Sequence, residues 1–426
     1  MQISINGSVQ PGFESIKNQF AQNLSASRDR NAQLCIYVGE ECVVDLWASA
    51  IGDESFTGDS LVNVFSSGKS LESILLGMLI DLEGLAFDTL VQRVWPAFQG
   101  QGKDALTLAD VMRHEAGLAV LNVNFSPTDI QPPAIHNNVV GKALEDHPLK
   151  FPDDTSSPRE YHAISRGWIA NEIFRRIDSG NRTMGEFLRE HVSGPLGIDV
   201  HIGLKDGELD RVSPVKERTF AAQLLDGLTP GTFARRVGLT YLEMLRRFWH
   251  LRNAIGSLRA TRNNLPIQGM AEHGVKIFDS EGISKSEIPS AGAKCNARGL
   301  AKLAAVMANG GELGGQALMS NDAWQKIHAN PINRKMTLLH SAFTQGGLAH
   351  FEDNGAAPKS LAAALNAGRE GFFGWMGYGG SVFQWHPELR IGFAYVPTAL
   401  NTLDFFNQRG KTYQLQTVAC VRSLSS

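Results

Sequence analysis

Strand-like runs stand at the two ends of this chain, and helical patterning fills most of what lies between. Near the start, Leu34-Cys35-Ile36-Tyr37-Val38 and Val43-Val44-Asp45-Leu46-Trp47 flank Gly39-Glu40-Glu41, which reads as a hairpin. Near the end, residues 381–385 and 391–396 are β-rich and flank the turn His386-Pro387-Glu388. Amphipathic helices are predicted over 12–24, where Phe13, Ile16, Phe20 and Leu24 share a face, and from about 412 to 424. The economical topology joins the end segments in one antiparallel β-sheet flanked by these terminal helices. The fold class is then α/β (α+β). Residues 1–65 and 290–426 form the sheet unit, 66–289 a mainly helical unit, and a ligand site falls in the cleft between them.

Within the middle, residues 66–84 carry Leu71, Ile74, Leu75, Met78, Leu79 and Leu82 at helical spacing. Further helices are predicted over 107–113, 162–177, 183–191 and 240–252. Pro- and Gly-containing loops separate them at 126–135, 148–158 and 224–231. A helix over 296–309 is closed by Gly310-Gly311.

Composition excludes several function classes. A chain that is 43% hydrophobic and 19% charged has ample material for a core. A net charge of −3, without long Lys or Arg runs, gives no electrostatic case for nucleic acid or an anionic membrane as partner. Cys35, Cys42, Cys295 and Cys420 are too few and scattered for a disulfide framework or a zinc site. The first residues lack a basic segment followed by an apolar one, and no apolar run approaches the ~20 residues a membrane span needs, so a cytoplasmic location is expected. Without a signal peptide, triplets such as Asn23-Leu24-Ser25 read as chance matches to glycosylation acceptors.

The chemistry concentrates at Ser66-Ser67-Gly68-Lys69, which heads the best-patterned helix. Residues i and i+3 share a helix face, so the lysine amine can reach the serine hydroxyl. Serine is a poor nucleophile until a base takes its proton, and a desolvated lysine can be that base. A second Ser-x-x-Lys, Ser213-Pro214-Val215-Lys216, has no comparable helix after it and is read as accidental. Gly68-Lys69-Ser70 could end a phosphate-binding loop, but Asn63 stands where that motif requires glycine. His114-Glu115 lacks the second histidine of a zinc-protease motif, since residue 118 is Leu, and His114 is read as structural. No G-x-S-x-G elbow occurs, which disfavours an α/β-hydrolase.

Nearly the whole chain, from about residue 10 to about 400, resembles β-lactamase-related serine esterases of the family VIII type. The residues that carry the resemblance follow in family order. They are Val43-Val44-Asp45-Leu46-Trp47, 61–69, Trp95-Pro96-Ala97-Phe98, Gly102-Lys103, Leu106-Thr107, 112–118, 161–168, Pro195-Leu196-Gly197-Ile198 and 373–381. The resemblance implies a β-lactamase/transpeptidase-like fold, with Ser66 as nucleophile and Lys69 and Tyr161 as its activators. Beside a cationic lysine, Tyr161 would ionise more easily and shuttle protons. By the same resemblance the N–H groups of Ser66 and Tyr378 form the oxyanion hole, and Trp375-Met376-Gly377 is the substrate-binding strand that walls the cleft.

Two departures narrow the substrate. Trp375 replaces the lysine that holds a β-lactam carboxylate, which argues for an apolar acyl or alcohol group. Ala163 replaces an amide-binding asparagine. The loop Pro289-Ser290-Ala291-Gly292 resembles one near the family's cleft. The expected partner is a small-molecule ester, with no metal and no cofactor. An acyltransferase at the same site, a β-lactamase or D-amino peptidase, and a non-catalytic protein on this fold all stay open, as does the choice between Lys69 and Tyr161 as base. Loops at 119–160, 205–240 and 330–372, which would shape the cleft, match the family least.

Overall fold

The computed structural model describes residues 3–27, 30–152, 157–219, 221–223, 265–336, 339–352, 361–402, 404 and 407–424. The predicted helix 240–252 and loop 224–231 lie outside these residues. One nine-stranded, wholly antiparallel sheet unites the two ends of the chain. Its strands in chain order are β1 (Ile5–Val9), β2 (Asn31–Val38), β3 (Glu41–Ser49), β4 (Ile332–Met336), β5 (Leu339–Phe343), β6 (Ala349–His350), β7 (Phe373–Met376), β8 (Val382–His386) and β9 (Ile391–Pro397). Across the sheet they run β1-β3-β2-β9-β8-β7-β6-β5-β4. The ends of the chain meet at β2 and β9, with Ile391 opposite Val38 and Pro397 opposite Ala32.

Alternate side chains of the central strands feed two different layers, as the period of two requires. Leu34 and Ile36 of β2, with Phe393 and Tyr395 of β9, pack among residues of the terminal helices α1 (Glu14–Ser27) and α5 (Gln408–Leu424). Phe20 of α1 and Tyr395 of the sheet approach the ring of Tyr413 in α5, at 6.1 and 5.2 Å. Cys35 and Ala394 face the opposite layer, which holds α2 (Lys69–Leu82) and α4 (Ala297–Ala308). Because both faces are covered, β8 and β9 are buried along their whole length. α4 lies close on the sheet because its facing residues are small. A β-carbon added at Gly392 of β9 would sit 2.4 Å from the Ala305 nitrogen and 2.8 Å from the Ala301 oxygen.

The stretch between the sheet segments is mainly helical. α2 is buried on every side from Lys69 to Ile80, more completely than a one-faced pattern predicts, whereas Leu82 at its end is 69% exposed. Beside it lies α3 (Ser165–Ile177), which starts three residues later than the pattern predicts. The 183–191 prediction resolves into a helix Met184–Leu188 and a π-turn Arg189–Ser193. The predicted loop 126–135 holds a 3-10 turn, Pro127–Ile130, and a short helix, Pro132–His136. Proline opens each of them, at the position where its missing N–H is harmless. A small three-stranded sheet joins 62–63, 294–295 and 200–201, and brings the segment ahead of α2 against residues 289–293.

Gly392→Val will drive a branched side chain into the α4 backbone. We expect a loss of about 3 kcal/mol or more, read as a lower melting temperature by calorimetry. Gly207→Ala, at a glycine with open space around it, will leave the melting temperature unchanged.

Candidate active site

Ser66 stands in the 3-10 turn Phe65–Gly68, which leads directly into α2. Phe65 takes a left-handed φ of 47°, a conformation that costs a non-glycine residue about 1–3 kcal/mol. That bend lets the serine end a strand segment and start a helix. Lys69 is the first residue of α2, one helical step on, and its side chain is fully buried.

The Lys69 amine has three neighbours. Nζ donates to the carbonyls of Ala163 at 2.7 Å and Ser290 at 3.0 Å, and lies 3.3 Å from Ser66 Oγ. A neutral amine has two N–H bonds and one lone pair. In that form the two carbonyls would take the two N–H bonds and leave the lone pair for the serine hydroxyl. Burial pushes the Lys69 amine well below the usual lysine range; Glu72 opposes that shift and Arg166 adds to it. Tyr161 closes the group, its hydroxyl 2.5 Å from Ser66 Oγ. Here the structure corrects the expectation of an easily ionised tyrosine. Burial raises the Tyr161 pKa above the usual value, and the bond to Ser66 only partly offsets this.

Trp375, expected as a wall of the substrate cleft, is nearly enclosed, with its ring beside Tyr161 and Lys69. Its ring stacks on Phe343 at 5.0 Å and lies 6.2 Å from Tyr161, while Lys69 Nζ sits 5.8 Å from its centre. Its indole N–H is taken by the Gly347 carbonyl at 2.8 Å. Met376 ends the strand, Gly377 follows it, and both are half-buried. The Met376 sulfur accepts from Arg369 at 2.8 Å. Gly377 must be glycine, since a β-carbon there would lie 2.1 Å from Ser381 Oγ and 2.2 Å from the Val64 carbonyl. Tyr378 is 44% exposed and donates its hydroxyl to Glu217 at 2.6 Å. Among the described residues, neither the Ser66 nor the Tyr378 amide donates a hydrogen bond, so both are free to meet a ligand oxygen.

Patterning missed Glu72 and Arg166 as partners, and the loop marked by resemblance brings Ser290 to them. Arg166 Nε pairs with Glu72 Oε2 at 2.7 Å, with both side chains at 0% exposure. Glu72 Oε1 accepts from Ser290 Oγ at 2.5 Å, and Arg166 Nη2 donates to the Lys69 carbonyl at 2.8 Å. The available signal was a glutamate inside the apolar run 71–82. The second Ser-x-x-Lys forms no such site: Ser213 Oγ is buried without a partner among the described residues, and Lys216 is exposed on a short strand. Among the described residues there is no His, Cys, Asp and Glu cluster able to hold a metal, and no helix long and apolar enough to cross a membrane.

Comparison with known proteins agrees with this fold. The Beta-lactamase family model matches residues 18–417. A curated relative, the esterase/beta-lactamase LipL of Mycobacterium tuberculosis (strain ATCC 25618 / H37Rv), is 26% identical over 399 residues, covering 92% of this chain and 83% of LipL. A penicillin-binding protein homolog from Caulobacter crescentus superposes with a TM-score of 0.73 at 24% identity, over 98% of this chain and all of that one. A family VIII carboxylesterase does so with a TM-score of 0.73 at 23% identity and the same coverage. The chain belongs to the beta-lactamase family, among its β-lactamase-related serine hydrolases.

Proposed function

We propose that this protein is a serine esterase that cleaves small carboxylic esters through an acyl-Ser66 intermediate. The observation that carries this reading is the Lys69 amine, held by two carbonyls with its third direction on Ser66 Oγ. Neutral Lys69 takes the Ser66 proton as Oγ bonds to the ester carbonyl carbon. The amides of Ser66 and Tyr378 hold the oxyanion. When the C–O bond to the alcohol breaks, the leaving oxygen takes a proton from Tyr161, and the Lys69 ammonium restores it. Water then repeats the sequence in reverse and frees the acid. The low pKa of Lys69 and the high pKa of Tyr161 favour this division of labour, with the lysine as base and the tyrosine as neutral carrier.

In this reading the site lies between the sheet unit, 1–65 and 290–426, and the helical unit, 66–289. Met376 and Gly377 line the acyl side, and Trp375 keeps water from Lys69 and Tyr161. Trp375 stands where the third motif would carry a lysine, which suits esters without a carboxylate. The name of the relative LipL supports esterase chemistry.

With p-nitrophenyl butyrate at stoichiometric enzyme, we expect a burst near one equivalent and a butyryl adduct on Ser66 by intact mass and peptide mapping. Ser66→Ala will abolish both. Lys69→Met and Tyr161→Phe will each lower kcat by about 10²–10⁴-fold, the usual loss of a general acid or base. Added alcohols will be poor acceptors; if a mixed ester outruns the free acid, the protein is an acyltransferase. A fully active Ser66→Ala variant would end the proposal.

The pH profile checks the same assignment. Lys69 must be uncharged, so kcat/KM will rise with pH through a pKa well below the usual lysine range. It will then stay level through the ordinary tyrosine value of about 10, because Tyr161 holds its proton. A decline setting in well below that value would show an ionising Tyr161 and reverse the roles.

A further inference from the structure

Tyr161 has no regular secondary structure to hold it, since α3 begins only at Ser165. Its hydroxyl nonetheless lies 2.5 Å from Ser66 Oγ. One residue grips the chain on both sides of it. Glu160 donates its N–H to the His114 carbonyl at 3.0 Å, and His162 donates its N–H to His114 Nδ1 at 3.0 Å. The His162 ring then braces the same segment, donating from Nδ1 to the Glu160 carbonyl at 2.6 Å and accepting the Leu118 N–H at Nε2 at 3.1 Å.

His114 occupies this place at a cost. Its φ is 66°, left-handed, in a residue that is not glycine. Because Nδ1 accepts, the ring proton belongs on Nε2, and that atom is buried with no hydrogen-bond partner among the described residues. It lies among aromatic rings, with Tyr161 at 5.2 Å and Trp375 edge-on at 5.3 Å. Burial, with Arg166 next, holds the ring well below the usual histidine range, so Nδ1 stays an acceptor. A residue needed only to fill space would carry neither the strained backbone nor the orphan N–H. What histidine supplies here is an acceptor one bond from the ring carbon that joins the backbone, at the height of the His162 amide.

We infer that His114 is the positioning residue of Tyr161: its carbonyl and Nδ1 clamp the amides on either side and so set the tyrosine hydroxyl against Ser66. This deepens the proposed esterase mechanism and rests on Tyr161 carrying protons there.

The test compares His114→Ala, His114→Asn, His114→Gln, Tyr161→Phe and the Ala/Phe double variant on p-nitrophenyl butyrate, with melting temperatures and circular dichroism for each. Asparagine places an oxygen where Nδ1 stands and tolerates left-handed φ; glutamine places it where Nε2 stands. We expect His114→Ala and His114→Gln to lose about 10²-fold in kcat with KM nearly unchanged, the scale of a small misplacement. His114→Asn will recover most of that loss. In the Tyr161→Phe background, His114→Ala will cost nothing further in kcat. Folded Asn and Gln variants with equal kcat would overturn the inference, as would a folded His114→Ala variant at wild-type kcat, and the Asn–Gln comparison stands even if the alanine variant does not fold. Wild-type kcat in Tyr161→Phe would instead remove the role of Tyr161 itself, which separates failure of the mechanism from failure of the clamp.

Discussion

The site hangs on one ion pair. Arg166 and Glu72 meet inside the apolar layer, with no exposure on either side chain. Two charges so placed pay a large desolvation cost that only good geometry offsets, and losing one partner of such a pair costs about 3–5 kcal/mol. The geometry is filled on every side. Arg166 binds the carbonyls of Lys69, Met112 and Gly347 and lies 5.0 Å from the centre of the Trp375 ring, while Glu72 holds the Ser290 hydroxyl. One guanidinium thereby fixes α2, α3, the segment before His114 and the loop between β5 and β6. The pair also solves an electrical problem. Arg166 depresses the Lys69 pKa and Glu72 raises it, so the two partners oppose each other, and burial is the largest influence on the lysine.

Trp375 contributes to that burial. In the sequence its position marks a wall of the substrate cleft; in the fold its ring backs Lys69 and Tyr161 and faces Phe343 and His114 on its other sides. A buried amine favours its neutral form and a buried phenol favours its neutral form for the same reason: the medium penalises charge. One dry environment therefore produces a proton acceptor and a proton donor at once. The expectation that a cationic lysine would ionise the tyrosine left out burial, which lowers the Lys69 pKa and raises that of Tyr161.

How far the sequence reveals this depends on what kind of signal each part leaves. The Ser66–Lys69 relation is local, three residues along one helix, and is legible from spacing. Tyr161 is distant in the chain and is recognisable only through the ordered motifs around it. The carbonyls of Ala163 and Ser290 leave no trace, because every residue has one. Glu72 and Arg166 were visible as charges in apolar helices but not as partners. Among the strands, β2, β3, β8 and β9 announce themselves by apolar runs; β2, β8 and β9 are buried along most or all of their length, and β3 mainly on the face of Val44, Leu46 and Ala48. The edge strands β1 and β4 do not. β1 contains Asn6-Gly7-Ser8, all exposed between half-buried ends, and β4 contains Asn333-Arg334-Lys335 and alternates half-buried with exposed residues. Polar edges protect a sheet from pairing with another chain, and the same chemistry hides them from a search for hydrophobic pattern.

The two amides assigned to the oxyanion come from opposite ends of the chain, and their spacing is set by Ser381. Its hydroxyl donates to the Val64 carbonyl at 2.7 Å and meets Ser67 Oγ at 2.9 Å, both beside the nucleophile. Its carbonyl accepts the Gly377 N–H at 2.8 Å, next to Tyr378, and the Asn407 amide at 2.8 Å. The turn that follows β7 and the turn that precedes α2 are thus pinned through one residue. The absence of a side chain at Gly377 allows them to approach so closely. Donors whose separation is fixed before a substrate arrives need no reorganisation when charge develops on the carbonyl oxygen, which is where such donors are most effective. The glycine of the third motif is therefore a distance constraint on the proposed oxyanion hole, and Ser381, four positions further along the chain, pins it.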